Sequence, residues 1–528
     1  MGTLINSRRS AQKTKQPRFM KHIACRSGSI VAGLSRLSGA IALLFAGPIS
    51  MSGTVHFASG FRVGEVSQDS AIVWTRLTQE PERNWDGLVP SPLMSPTRVF
   101  VDFPEIPVSD WEGAVPGAAG KVRLGISKQA DLSGARWEDW VEVGPVTDFI
   151  HQFSLSGLES GTRYYLVIEG RDEKDGDLNR SSVGSFRTAP NPDSADELWF
   201  AVTTCQLYYQ RDDREGFRIF ESMAKLSPLF LDKPAFLVST GDSVYYDRDN
   251  PRASTVALGR LHWQRMYSLP MIREFFRNVP GYWEKDDHDT FFDDSWREYD
   301  APWIEPLTFE EGSALFREQV PMGPELYRTY RWGKTVQIWL VEGREYRSAN
   351  DMEDSPEKTI WGAEQMDWLK ESILESDAAF KILISPTAIV GPDNPDQIDS
   401  HANESFKSEG SAFRRWTYDE GLNNLYVICG DRHWQYMSTD PLSGLREFAC
   451  GPSSDASVLG GPGFKPNFHS FYRPGGGFIS VSAKEGIKKV LAHPQRIIEI
   501  DGPPILTIRI HDTDGEVVYE YRDSSLGG

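Results

Sequence analysis

Four segments of the chain carry side chains able to hold a metal ion: Cys205, the pair Asp242 and Tyr245, the run Asp286-Asp287-His288-Asp289, and the pair Asp431 and His433. The run packs three carboxylates and one imidazole into four positions. Such a density of acid in a poorly solvated cleft requires cations to compensate it. A Gly-Asp pair opens two of the segments, Gly241-Asp242 and Gly430-Asp431. Glycine permits a tight turn, and the turn sets the carboxylate at the end of whatever precedes it. Tyr245 lies three positions after Asp242 and can reach the same point in space. Asp431 and His433, at i and i+2, face the same way if the backbone stays extended. Taken singly, each feature has a bland alternative: a turn, a packed cysteine, a solvated acidic face. Their joint occurrence points to metal-assisted chemistry.

The elements that position them follow from the apolar pattern. Leu198–Val202 ends at Thr203-Thr204-Cys205, Ala235–Ser239 at Gly241-Asp242, and Leu425–Cys429 at Gly430-Asp431. Phe380–Ile384 is a fourth apolar run, and helical stretches lie at Phe217 to Leu226, Arg260 to Phe276 and Glu364 to Leu374. Continuous apolar strands alternating with helices predict a layered α/β domain with buried strands. Open α/β sheets build their sites where strands end. Between 53 and 190 the pattern is instead short strands punctuated by Pro and Gly, such as Ala71–Leu77, Val99–Val101, Lys121–Leu124 and Tyr164–Ile168. That predicts a β-sandwich of roughly immunoglobulin size. The polar stretch Thr188-Ala189-Pro190-Asn191-Pro192-Asp193-Ser194 marks the boundary, and the larger domain is expected over 195–524. Ile505–Ile510 and Val517–Tyr521 predict a closing hairpin.

Composition narrows the function. A chain of 528 residues exceeds the size at which a single core stops growing. With 56 Lys+Arg against 75 Asp+Glu, the net charge is −19, a surface that repels nucleic-acid backbones. Four cysteines are too few for a disulfide-stapled scaffold of this length. Residues 1–52 read as a secretory signal peptide. Arg8, Arg9, Lys13, Lys15, Arg18, Lys21 and Arg26 precede an apolar stretch from Ile30 to Ile49. Arg36, Gly33, Gly39 and Gly47 interrupt that stretch, which disfavours a stable membrane span. Export to the periplasm or beyond is expected, by the general secretory or the twin-arginine route, with Met1 or Met20 as the start.

The motifs together resemble those of the PhoD-type alkaline phosphatases and phosphodiesterases, members of the metallophosphoesterase superfamily. Gly241-Asp242-Ser243-Val244-Tyr245 is similar to that family's Gly-Asp-x-x-Tyr motif. Asp286-Asp287-His288-Asp289 is similar to its Asp-Asp-His-Glu/Asp motif, and Gly430-Asp431-Arg432-His433 to its Gly-Asp-x-His motif. Phe61-Arg62-Val63-Gly64 with Asp69–Leu77 resembles its N-terminal signature, and Arg344-Glu345-Tyr346-Arg347 and Gly362-Ala363-Glu364-Gln365 resemble supporting segments. The resemblance implies a four-layer αββα sandwich preceded by a small fibronectin- or immunoglobulin-like domain. It also implies iron(III) held by Cys205, Asp242 and Tyr245, and calcium held by Asp242, Asp287 and Asp431, with His433 as a further ligand. Thiolate and phenolate suit trivalent iron, and carboxylate oxygens suit calcium. Two departures stand out. Asp293 and Asp294 occupy positions where relatives place asparagines, and Glu342 stands where relatives carry Asp.

The implied reaction is attack on phosphorus by a hydroxide activated at the metals, with Arg344 or Arg432 stabilising the added charge and His288 protonating the leaving alkoxide. The substrate is a small phosphate mono- or diester, and the protein is expected to act as a monomer. Two other readings compete. A glycosidase could use Asp287 and Asp289, but residues at i and i+2 rarely flank a sugar from both sides. A non-catalytic exported binding protein would be expected to lack one of these ligands.

Overall fold

Alternate residues of the central strands face different cores, and this sets the architecture. In Leu198–Thr203, Leu198, Phe200 and Val202 enter one core while Trp199 and Ala201 enter a second. Ala235–Thr240 repeats the division, Phe236 and Val238 against Ala235 and Leu237. In another sheet, Phe380, Ile382 and Ile384 join the first core and Leu383 a third; Tyr426 and Ile428 divide from Leu425 and Val427 in the same way. Two sheets therefore share a central core. Helices Arg218–Lys225, Val256–Tyr267, Pro270–Phe276 and Phe309–Gln319 cover the outer face of one sheet; Gly362–Glu375 and Lys407–Asp419 cover that of the other. The expected four-layer α/β sandwich is what forms.

This computed structural model describes residues 55–89, 106–226 apart from 173 and 175, 233, 235–493 and 496–524. The leader 1–52 and the strand expected at 99–101 lie outside the described residues.

Among the described residues, the first sheet has nine strands. Val517–Asp523, Arg496–His511 and Phe478–His493 lead to Leu198–Thr203, Ala235–Thr240 and Gly281–Glu284, followed by Phe61–Gly64, Ala71–Arg76 and Ile150–Leu155. Its three middle members run parallel, from Trp199↔Ala235 and Leu237↔Gly281. The second sheet has seven strands, with Val336–Leu340, Phe380–Ser385, Leu425–Cys429 and Arg446–Cys450 parallel at its centre. The closing hairpin pairs Ile508 with Tyr521 as expected. The helix expected over 260–276 is broken into two at Leu269-Pro270, because a residue before proline is pushed out of helical geometry.

The N-terminal region is β-structured as expected, and its strand Gly120–Ser127 pairs with Arg163–Asp172 in a separate six-stranded sheet. Three of its strands do something the sequence pattern does not show: they extend the nine-stranded sheet across the linker. Gly64 pairs in parallel with Gly281, Glu65 N–H donates to the Gly281 carbonyl at 3.3 Å, and Trp74 Nε1 donates to the Glu318 carbonyl at 2.9 Å.

Candidate metal centre

Strand ends from both large sheets converge here. Leu198–Thr203 delivers Cys205, Ala235–Thr240 delivers Asp242, and Gly281–Glu284 runs into Asp286, Asp287 and His288; from the second sheet, Leu425–Cys429 delivers Asp431 and His433. Cys205, Asp242 and Asp431 all hold left-handed backbone, with φ of 54°, 56° and 60°. Such conformations in non-glycine residues cost on the order of 1–3 kcal/mol and collect at functional sites. The glycines before the two aspartates are required by close approach. A Cβ on Gly241 would lie 2.5 Å from the Asp286 Cβ, and one on Gly430 would lie 2.5 Å from the Thr240 carbonyl oxygen.

Asp242 is the hub. Its Oδ2 accepts from Tyr245 Oη at 3.0 Å and from Cys205 Sγ at 3.4 Å. Ligand-competent atoms lie within 4.8 Å of one another in the groups Cys205–Asp242–His433, Asp242–Asp287–His288 and Asp242–Asp286–Asp431, and also in Asp287–Asp293–Asp294. Asp242, Asp286 and Asp287 are buried, yet Asp242 Oδ1, Asp286 Oδ2 and Asp287 Oδ1 accept no hydrogen bond from the protein. Buried carboxylate oxygens without partners are costly, and cations satisfy them.

The electrostatics agree. Burial, reinforced by neighbouring carboxylates, pushes Asp242 and Asp431 well above the usual carboxylate range. Asp286 is pushed up to about 6 and Asp294 to about 8, in each case chiefly by burial. Burial and the nearby acids also hold the Cys205 thiol and the Tyr245 phenol well above their ordinary values. A bound metal reverses this preference, since a coordinating thiol is deprotonated outright. The oxygen-rich side suits a hard cation, and the thiol beside Asp242 suits a transition metal. The residues present thus fit metal ions.

The two histidines differ. His433 Nδ1 donates to the Ser457 carbonyl, which leaves Nε2 with its lone pair, and burial lowers its pKa to about 4. A neutral imidazole with one nitrogen fixed is a prepared ligand. For His288, burial favours the neutral form, but Asp247, Asp287 and Asp242 together raise its pKa well above the ordinary value. Its Nδ1 meets Asp247 Oδ1 at 2.7 Å, its Nε2 lies 3.4 Å from Asp293 Oδ1, and its ring centroid lies 4.2 Å from that of Tyr245 with the planes tilted by 32°.

Every residue singled out from sequence is in or beside this cluster, but the arginines are differently placed from what a substrate contact suggests. Arg344 is wholly enclosed. Its Nε donates to Asp286 Oδ1 at 2.5 Å, and Nη2 lies 3.7 Å from Asp287 and 3.8 Å from Asp399. Arg432, also enclosed, donates to Asp393 at 2.8 Å and to Asp399 at 3.4 Å, and pairs with Asp431. Both arginines hold charge within the protein. Asp289 accepts from the Asp286 and Ser243 N–H groups at 2.7 and 3.0 Å, so it fastens the loop. Glu342 accepts from Arg344 and Glu345 N–H at 3.0 and 2.6 Å and fixes the Arg344 turn. Sequence reading did not identify Asp247, Arg248, Asp393 or Asp399. Asp247 and Arg248 follow the Gly-Asp-x-x-Tyr segment closely, and that adjacency was the one available signal.

A helix–sheet–sheet–helix sandwich with metal-competent groups at the facing strand ends defines a metallophosphoesterase-like protein. The PhoD-like phosphatase family profile matches residues 200–462, and that of the PhoD-like phosphatase N-terminal domain matches 46–190; the chain belongs to this family. It is 21% identical over 483 residues to alkaline phosphatase D of Bacillus subtilis (strain 168), covering 81% of this chain and 74% of that protein. A solved structure of PhoD superposes with a TM-score of 0.65 at 17% identity, covering 90% of this chain and 94% of that one. A purple acid phosphatase from yellow lupin (Lupinus luteus) seeds superposes with a TM-score of 0.55 at 10% identity, covering 88% and 74%. The protein is accordingly a phosphoric ester hydrolase of a metal-dependent family. Among the described residues, no helix is long and apolar enough to cross a membrane.

Proposed function

We propose that this is an exported, monomeric hydrolase of small phosphate mono- or diesters, with iron(III) held by Cys205, Asp242, Tyr245 and His433 and calcium held by Asp242, Asp287 and Asp431. The observation that carries the metal assignment is the convergence of one thiol and one phenol on Asp242 Oδ2, with buried carboxylate oxygens around it that accept no hydrogen bond from the protein. Bound there, such cations neutralise phosphate charge and acidify a water molecule. The basic leader followed by an apolar stretch supports export.

The chain's own part is orientation and proton transfer. Asp247 fixes the His288 ring through Nδ1, so that Nε2 carries the transferable proton. As water attacks phosphorus in line, that proton passes to the departing alkoxide oxygen, leaving His288 neutral. Arg344 and Arg432 hold Asp286, Asp393 and Asp399 in place beneath the reacting groups.

The test is Tyr245→Phe, which keeps the ring and removes the donor oxygen. Elemental analysis of the wild-type protein should find iron and calcium, and a phenolate–iron band should colour it. The variant should fold, retain calcium, and lose both the band and most activity. Zinc alone in the wild type, or a coloured and active variant, overturns the assignment.

A further inference from the structure

Among the described residues, Arg344, Arg432 and Arg248 pair with this acidic cluster, and solvent reaches them very differently. The side chain of Arg344 is 0% exposed, that of Arg432 3%, and that of Arg248 45%. Arg248 lies three positions beyond Tyr245, and its Nη2 pairs with Asp293 Oδ1. The same Oδ1 lies 3.4 Å from His288 Nε2. One carboxylate oxygen, on a side chain 28% exposed, thus sits between a guanidinium and an imidazole, with Asp287 within ligand-sharing distance. It marks a seat for an anionic oxygen at the rim of the site.

The same geometry says which cation can release its partner. Asp286 and Arg344 are enclosed together, and parting them would strand two buried charges. The Arg248–Asp293 pair is partly exposed, so parting it costs less than parting the enclosed Arg344–Asp286 pair, although it also takes Asp293 from His288 Nε2. A phosphate oxygen presents the acceptor geometry that a guanidinium fork fits. We infer that Arg248 is the arginine that receives the substrate's phosphate oxygen, displacing Asp293, and that it thereby favours dianionic monoesters over monoanionic diesters. This rests on the site reading proposed above. Asp293 acts as an internal competitor that keeps the seat closed to weak anions.

The experiment compares the metal-loaded wild type with Arg248→Gln and Arg248→Lys, using nitrophenyl phosphate, methyl nitrophenyl phosphate, and inorganic phosphate as a binding probe. For Arg248→Gln, kcat/KM on the monoester should fall about 30-fold, mainly through KM, and on the diester about threefold or less, the difference expected from one charge-assisted hydrogen bond. Phosphate Kd should rise in parallel, and Arg248→Lys should recover part of the loss. Equal losses on the two esters, or an unchanged phosphate Kd, overturn the inference while leaving the hydrolase reading intact. If the wild type turns over neither ester, the hydrolase reading fails, and the phosphate titration still decides the role of Arg248.

Discussion

The two sheets that meet at the site bring opposite things to it. The nine-stranded sheet contributes Cys205, Asp242, Tyr245, Asp286, Asp287 and His288, a set dominated by buried acids. The seven-stranded sheet contributes Asp431 and His433 together with the enclosed cations Arg344 and Arg432. Neither edge is tolerable alone. The first would concentrate uncompensated carboxylates, and the second would bury guanidinium groups without partners. Packing the sheets brings them together, yet Asp242, Asp286 and Asp431 remain above the ordinary carboxylate range. The compensation is deliberately incomplete in physical terms: what is left over is room for cations. The histidines show the same contrast, the pKa of His288 raised on the acidic side and that of His433 lowered on the other.

The strongest way to break this pairing is at its hub. Asp242→Asn should reduce ester hydrolysis to background and empty the site of metal by elemental analysis, with the fold intact. A variant that keeps its metals and its rate would show that Asp242 does not join the groups. Next, His288→Ala should slow alkyl phosphate hydrolysis by about 10²–10⁴-fold and nitrophenyl phosphate hydrolysis far less, because an activated phenolate leaves without a proton. Equal losses would make His288 a ligand. Arg344→Met tests the compensation itself: leaving Asp286 buried and unpaired should cost about 3–5 kcal/mol in denaturant unfolding. A loss confined to activity would show that Asp286 does not depend on Arg344 for its compensation.

The smallest effect concerns pH, measured as thermal stability of chelator-treated protein. His433 has a folded pKa of about 4, below its unfolded value near 6.5, so its stabilising contribution is lost as pH falls through that window. His288 is raised, so its contribution is present below about 6.5 and fades as pH climbs toward its folded value. His433→Gln should flatten the acid limb and His288→Gln the alkaline limb. Identical profiles for the two variants would remove the asymmetry.

Much of this was legible in the sequence. Apolar runs ending in Cys205, Gly241-Asp242 and Gly430-Asp431 announce buried strands and their chemistry together, because strand burial and strand-end placement are local properties. Asp247, Asp393 and Asp399 were not legible, since an acid in an irregular loop has no periodicity to distinguish it from a solvated one. Arg344 and Arg432 were visible as cations near the motifs, but their enclosure depends on tertiary packing. The joining of Phe61–Gly64 to Gly281–Glu284 left no trace either: a single parallel pairing across the linker alters no local pattern.

That pairing has a consequence for how the chain comes to be folded. Phe61–Gly64, Ala71–Arg76 and Ile150–Leu155 pair with one another antiparallel, so they can assemble as soon as they are made. The parallel partner of Phe61–Gly64 starts at Gly281, more than two hundred positions beyond Gly64 and well after Leu155 completes the third strand. Until then the assembled strands hold an open edge, the surface on which strands of other chains add. Closing so distant a contact is entropically slow, and slow closure lengthens that exposure. For a chain synthesised from its N-terminus, the interval before Gly281 reaches Gly64 is the window in which aggregation competes with folding, and a chaperone that covers the Phe61–Gly64 edge would act there.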